Sequence, residues 1–302
     1  MLASPWFGSD FPSYPPLEAD EHVDVVVVGG GITGITTAYF MAREGRRVAL
    51  IERDRLACGD TGNTTAHLTY VTDSRLNELA SRFGDDAARA FWEAGAAAID
   101  LIASNVRERE VDCDFRWTPG YLHEPSGLPA SGKERDALMR DAALAERFGF
   151  DAQFLESVPG VGRPGVRFGG QAALHPRKYL AALLQGVEKH GGRIFENTAF
   201  DRVEEGPLRV RANGHEIRCD YLVIATHTPL MGKQVLVGVG RVPVQRGRNR
   251  SRRQPRAERV ARIERELRLE HRRPDQPLLA HQRRVGRDHE VVAADLVAVR
   301  PD

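Results

Sequence analysis

A chain of 302 residues with 41% hydrophobic and 28% charged residues and a net charge of +1 is long enough for two packed domains and has the composition of a soluble globular protein. Its three cysteines, Cys58, Cys113 and Cys219, stand far apart with no CxxC or CxH, which excludes a disulfide framework and gives no metal or iron–sulfur ligand set. The most apolar stretch, Val25 to Ala42, is rich in Gly and Thr and bounded by Asp24 and Arg43; with no signal-peptide order at the N-terminus, no membrane span and a reducing, cytoplasmic location are expected.

Residues 1–21 (with FPSYPPLEADE) are rich in Pro, Ser and acids and read as an extended lead-in. Val23 to Val28 then forms a β-branched run, followed by GGGITG and by ITTAYFMAREG, in which Ile35, Ala38, Tyr39 and Met41 or Ala42 suit a buried helix face. A second apolar run, Arg47 to Ile51, ends at Glu52, which completes a strand, glycine turn, helix and parallel strand. Ala80 to Glu110 reads as mainly helical, with Ala87, Phe91, Ala94, Ala98, Leu101 and Ile102 at three- and four-residue spacings. Asp112 to Glu124 resembles strand, turn and strand, and Gly132 to Phe148 another helix. His175-Pro176 opens a further helix closed by Gly191-Gly192, and strands are expected at Arg193 to Val203, Leu208 to Ala212, Glu216 to Cys219 and Tyr221 to Ala225. The order is a nucleotide-type βαβ unit, an inserted helical and β part, and a return to strands, without an internal repeat.

The chemistry lies in the turn after the first strand. Gly29, Gly31 and Gly34 form G-x-G-x-x-G at a strand-to-helix junction, Ala38 lies four residues further on, Gly45 closes the helix and the acidic Glu52 ends the second strand. Gly29 permits the tight turn, Gly31 lets the backbone approach a pyrophosphate, and Gly34 with Ala38 lets the helix lie close to the sheet. The helix N-terminus offers free N–H groups to phosphate, while Glu52 accepts hydrogen bonds from ribose hydroxyls. A glycine-rich turn that binds nothing is the plain alternative. NAD and FAD share this fingerprint, but the stretch RDRLACGDTGNTTAHLT after Glu52 supplies backbone and hydroxyl donors suited to a pyrophosphate and a flavin edge.

With these residues the chain resembles the FAD-dependent D-amino acid oxidase and glycine oxidase superfamily, and within it a bacterial branch that often carries a C-terminal Rieske domain. The resemblance rests on DVVVVGGGITGITTAYFMAREGRRVALIERD, CGDTGNTTAHLT, LHPRKYLAALLQGVEKHGGRIFENTAFDRV and YLVIATHTPL, and covers roughly residues 20–232. It implies an α/β fold: an FAD/NAD(P)-binding Rossmann-like domain (22–110 and 171–232) with an inserted α+β substrate domain (partly 111–170), incomplete at the C-terminus. It implies FAD as cofactor, with Gly29, Gly31, Ile32, Thr33 and Gly34 around the pyrophosphate and Glu52 and Arg53 at the adenosine. Cys58 to Ala66, including Gly59, Thr61, Gly62, Thr64, Thr65 and Ala66, would follow the phosphates toward the isoalloxazine. Val203 would lie against the adenine, and Ala225 and Thr226 would close over the cofactor. For the threonines the alternative is a hydroxyl-rich capping loop; for Ala225 it is ordinary strand packing.

In this superfamily a hydride passes from the carbon beside a substrate amine to flavin N5, so the protein contributes orientation and electrostatics. Arg116 is the candidate for an amino-acid carboxylate; an ordinary exposed ion pair is its alternative. His67 stands where the loop reaches toward the flavin, at a position where the branch often has Lys, and a histidine that satisfies the backbone is the competing reading.

After Gly232-Lys233 the pattern stops. From Gln234 to Asp302 there are 17 arginines, no lysine and nine acids, and no aromatic residue follows Tyr221. The segment 233–302 is therefore expected to be an atypical, disordered tail without a Rieske cluster. A shifted reading frame is the favoured origin; a basic arm for nucleic acid or acidic lipid and an amphipathic helix at Arg256 to His271 are the competing readings, nucleic acid being unlikely as a partner. The expected function is FAD-dependent oxidation of the CH–NH group of a small amine or amino acid. The alternatives are a catalytically silent flavoprotein fragment and, more remotely, an NAD-binding module.

Overall fold

The computed structural model describes residues 4–126, 132–204 and 206–226, and the backbone of 298–299. After a short 3-10 turn at Pro5–Gly8, the chain runs extended into β1 (Glu21–His22) and β2 (Val25–Val28), then α1 (Ile32–Arg43) and β3 (Val48–Ile51). A loop with a 3-10 turn at Asp60–Asn63 leads to β4 (His67–Leu68), and α2 (Leu76–Phe83) and α3 (Asp85–Glu108) follow. Next come β5 (Arg116–Trp117), β6 (Gly120–His123), α4 (Gly132–Arg147), β7 (Ala152–Leu155), β8 (Gly165–Phe168) and β9 (Ala172–Ala173). The described chain closes with α5 (Pro176–Lys189), β10 (Arg193–Phe195), β11 (Phe200–Glu204), β12 (Arg209–Ala212), β13 (His215–Arg218), β14 (Tyr221–Ile224) and β15 (Ala298–Val299).

The central sheet has the order β10-β3-β2-β14-β15, parallel except for β15. Every residue of β2 and β3 is buried, and the reason is in the packing. Val25, Val27, Val48 and Leu50 face a core built with α1 and α5, whereas Val26, Val28, Ala49 and Ile51 face a second core with Val210, Ala212 and Ile217 of the sheet β1-β13-β12-β11. Covered on both faces, a parallel strand reads as a continuous apolar run with no alternation. The α/β expectation thus matches the structure.

A third core gathers Tyr70, Leu76, Ala88, Trp92, Ile99, Leu138, Phe148 and Phe168 between α2, α3, α4 and the sheet β6-β8-β7. It draws on residues 70–99, so this core reaches well before residue 111, the boundary expected from sequence for the inserted part. The helical stretch expected at 80–110 is broken at Gly84, whose φ is +87°. The helical spacing of Ala87, Phe91, Ala94 and Ala98 marks the outward face of α3; Ala88, Trp92 and Ile99 point inward, because the Trp92 indole fills the space between Tyr70, Phe150 and Phe168.

Two strand expectations also need correction. The strand, turn and strand at 112–124 is not a hairpin, since β5 joins the sheet β4-β9-β5 and β6 joins β6-β8-β7. The single strand expected at 193–203 is two strands in different sheets, separated at Asn197, which adopts φ +48°. The Arg-rich segment 233–302, including the helix considered at 256–271, lies outside the described residues apart from the backbone of β15.

Between the turn at Pro5–Gly8 and β1 the lead-in forms no helix or strand, but it is packed. Leu17 is buried, Phe11 and Tyr14 pack on the first core, and β1 pairs in parallel with β13. The fully buried Glu196, at the end of β10, joins this segment to the loop after β3. Its carboxylate accepts from the Tyr14 amide (3.0 Å) and the Leu56 amide (2.8 Å), with the Arg55 Nε at 3.2 Å. Glu196→Ala leaves two amides without their acceptor and is expected to cost about 2–4 kcal/mol in urea unfolding. Glu196→Gln keeps one acceptor oxygen and should cost less; equal stability of all three proteins would contradict this role.

Candidate cofactor and substrate site

The β2–α1 turn is shaped by contacts that only glycine allows. Gly29 adopts φ +110°, and a Cβ on it would come within 2.4 Å of the Ala225 carbonyl oxygen. A Cβ on Gly34 would stand 1.8 Å from the Gly29 carbonyl oxygen. Helix α1 therefore starts with its backbone against the turn and the turn against the end of β14, where the Ala225 amide donates to the Val28 carbonyl at 2.8 Å. Gly31 differs from both. Among the described residues a Cβ there would meet only the Thr61 Oγ1, at 3.2 Å, so its outer side is open to a ligand.

The N-terminus of α1 has Gly31 as its N-cap, no side-chain cap from that residue and no acid in its first turn. Its leading amides lack intrahelical acceptors and carry the positive end of the helix dipole. One of them, that of Ile32, donates to Thr61 Oγ1 at 3.1 Å, which ties the turn to the loop after β3. Glu52, at the end of β3, is half-buried; its carboxylate accepts from the Gly30 amide (2.6 Å) and the Asp54 amide (3.0 Å). Each oxygen keeps acceptor capacity for a hydroxyl donor. Arg53 is exposed and pairs with Asp54.

The loop 57–66 is held from several sides. Ala57 and Ala66 take positive φ (+54° and +62°), and both are buried. Gly62 is packed so that a Cβ would meet the Ala57 carbonyl oxygen at 2.6 Å and the Phe7 ring at 2.7 Å. Among the described residues Gly59 has open space around it, Thr64 Oγ1 accepts from the Ala66 amide at 3.2 Å, and Thr65 is exposed. Sequence reasoning missed the groups beneath this loop. Arg177, buried near the start of α5, reaches the Ala57 carbonyl with Nη1 at 3.4 Å, and the Trp6 indole Nε1 donates to the Thr64 carbonyl at 2.8 Å. Trp6 also meets His175 edge-on at 5.0 Å. Burial is the main force lowering the His175 pKa, helped by Lys178, and its Nδ1 accepts from the Lys178 amide at 3.3 Å to cap α5. The single signal for these groups was the aromatic content of a lead-in that otherwise reads as a linker.

His67 and Arg116 come together across a sheet. In β4-β9-β5 both are paired with Ala173, His67 from one side and Arg116 from the other. Paired residues of antiparallel strands share a face. The two exposed side chains therefore rise from one face about 10 Å apart, two strand spacings, with only a methyl group between their strands. Among the described residues Arg116 makes no ion pair. Val203 is not part of this grouping: it lies on β11, opposite Val210 in another sheet. The segment beside Glu52 is instead 195–198, where the Glu52 amide donates to the Phe195 carbonyl and the Thr198 amide to the Glu52 carbonyl. Among the described residues no group of three or more His, Cys, Asp or Glu is placed to hold a metal ion, and no helix is long and apolar enough to cross a membrane.

The cradle fits a dinucleotide: a helix start with leading amides that lack intrahelical acceptors, an open Gly31 and an acidic strand end occur together. The sequence profile of the FAD dependent oxidoreductases, the DAO family, matches residues 24–287, which extends past residue 232, where the resemblance read from sequence ends. A Bacillus subtilis protein described as a Rieske 2Fe-2S iron–sulfur protein, YhfW, is 33% identical over 225 residues, covering 73% of this chain and 43% of the relative. The gamma-glutamylputrescine oxidoreductase of Escherichia coli is 24% identical over 242 residues, covering 76% of this chain and 55% of the relative. The chain thus spans about half the length of these curated relatives. Among solved structures, glycine oxidase from Geobacillus kaustophilus superposes with a TM-score of 0.54 at 19% identity, covering 68% of this chain and 55% of that one, a likeness of fold. The chain belongs to the DAO family of FAD-dependent oxidoreductases.

Proposed function

We propose that the chain holds FAD with its pyrophosphate at the β2–α1 turn and its adenosine at Glu52, and that it oxidises the CH–NH group of a small amine or amino acid. The observation that carries this reading is the helix start itself: α1 begins at a glycine whose outer side is open, with no side chain capping from that position. Such an end attracts an anion by its free amides and its dipole. Glu52 would take the ribose hydroxyls on its remaining lone pairs, and the loop 57–66 would continue along the phosphates. Thr61, Thr64 and Ala225 fit this line of contact, as does Thr226, whose methyl lies 3.3 Å from a Cβ built on Gly29.

Bound FAD supplies the hydride acceptor for the carbon that carries the substrate nitrogen. The chain's own side chains would then select and orient the substrate. Arg116 offers a planar pair of donors to a carboxylate, and its lack of an ion pair among the described residues leaves it available. Ala173 keeps the space between Arg116 and His67 low, and His67, next to the end of the loop, would face the reacting end of the substrate. Two of the proteins this chain is similar to, gamma-glutamylputrescine oxidoreductase and glycine oxidase, have a nitrogen-bearing substrate in their names, which supports such a substrate for this chain.

Three variants test the arrangement. Gly31→Ala should leave thermal stability close to wild type while weakening FAD binding about tenfold or more, because its methyl occupies the phosphate side and meets little protein. Gly34→Ala, which drives a methyl into the Gly29 carbonyl, should lower stability itself; a Gly31→Ala protein with unchanged FAD affinity would contradict the cradle. For substrate, anaerobic bleaching of bound flavin by a panel of amines and amino acids is the direct assay. Arg116→Ala should raise the concentration needed for half-maximal bleaching by amino acids about 10- to 100-fold, the loss of a charged hydrogen-bonded pair, and leave amines without a carboxylate unaffected. Bleaching by none of the panel would contradict the proposed activity.

A further inference from the structure

The N-terminal segment places two aromatic rings against the cofactor loop. Trp6 and Phe7 lie in the short turn Pro5–Gly8, which is tied down at both ends: Ser4 Oγ accepts from the Trp6 amide, and Ser9 Oγ donates to the Trp6 carbonyl at 3.0 Å. From this turn the Trp6 indole donates to the Thr64 carbonyl at 2.8 Å, and the Phe7 ring edge fills the space that a side chain on Gly62 would need. Phe7 and Phe11 also cover the Arg177 guanidinium, with ring centroids 5.1 and 4.1 Å from its central carbon. Arg177 is 7% exposed, and its Nε has no hydrogen-bond partner among the described residues. It is packed against the two rings, and its Nη1 reaches the Cys58 Sγ at 3.9 Å and the carbonyl of Ala57, the residue at which the loop turns with positive φ. Further along, Tyr14 shares the Glu196 carboxylate with Leu56, just before that turn.

The lead-in therefore touches the loop at its start (Leu56 and Ala57, through Glu196 and Arg177), at its middle (Gly62) and near its end (Thr64). A linker would have no reason to make contacts spaced along one loop. We infer that residues 4–17 are a positioning clamp for FAD binding: Trp6 and Phe7 fix loop 57–66 in the shape that receives the cofactor, without being required for the fold of the central sheet. This inference rests on the proposed FAD site. It assigns to the first turn of the chain a role in cofactor affinity. The physical logic is preorganisation: a loop already held in its bound shape does not lose conformational freedom when the ligand arrives.

The test compares FAD dissociation constants, from quenching of flavin fluorescence on titration into full-length protein, with thermal stability of the same samples. Trp6→Phe removes only the indole donor and should weaken FAD about 2- to 12-fold, the range of one neutral hydrogen bond. Phe7→Ala should weaken it at least as much, and Phe7→Tyr should restore wild-type affinity. Phe91→Ala, on the exposed outward face of α3, removes an aromatic ring away from the loop and should leave FAD affinity unchanged. The bound-flavin absorption band should also shift toward that of free FAD in Trp6→Phe and Phe7→Ala. If the wild type binds FAD and these two variants bind it equally well, whatever their melting temperatures, the clamp is overturned while the cofactor site stands. If the wild type takes up no FAD, the cofactor reading fails and the clamp fails with it.

Discussion

Everything in the proposed cofactor site depends on one close approach of backbones. The Gly29 carbonyl lies where a Gly34 side chain would have to be, and the Ala225 carbonyl lies where a Gly29 side chain would be. Because those side chains are absent, α1 can begin directly at the edge of β2, and β14 can end directly against the turn. Two consecutive elements and one from far along the sequence, β14, then bring their ends to one point, the crevice outside the carboxyl ends of parallel strands where such sheets bind ligands. The same geometry aims the free amides of α1 at whatever occupies that crevice. A methyl group at either position would separate helix from sheet and remove the site together with the packing.

The second level of organisation is the pair of cores on either side of β2 and β3. It makes the central strands rigid, so the turn at their ends has a fixed frame. Around that frame the loop 57–66 is irregular, with two alanines in left-handed conformation, and it holds its shape through contacts that come from elsewhere: Thr61 onto α1, Arg177 from α5 and Trp6 from the first turn of the chain. The proposed substrate side is arranged differently. His67 and Arg116 owe their common face to strand register alone, both lying opposite Ala173, so a short three-stranded sheet suffices to align two side chains 49 positions apart.

What could be read from the sequence follows from how local each signal is. The βαβ unit was legible because strand, glycine turn, helix and acidic strand end all lie within Val25–Glu52, and each constrains its neighbours. The start of α5 was legible for the same reason, since His175 caps it and Pro176 occupies its first position. The face of α3 was misread because Phe91 and three alanines share a helical spacing, while the decisive residue, Trp92, is buried by partners 22 residues before it and 58 and 76 after it. The break at Asn197 was missed because Ile194, Phe195 and Phe200 suggest one strand, and only the pairing of β10 with β3 and β11 with β12 forces the chain to change sheets. Glu196 and Arg177 were invisible as site residues: their roles arise from burial against the lead-in, and nothing near them in sequence announces it.

The central claim is that the residues around the β2–α1 turn form a cofactor site in this chain. The most direct measurement is the visible absorption spectrum of the purified full-length protein after incubation with FAD and removal of free cofactor by gel filtration. A flavin band retained at close to one FAD per chain is the predicted result. A folded, monodisperse protein that leaves the column colourless would contradict the account.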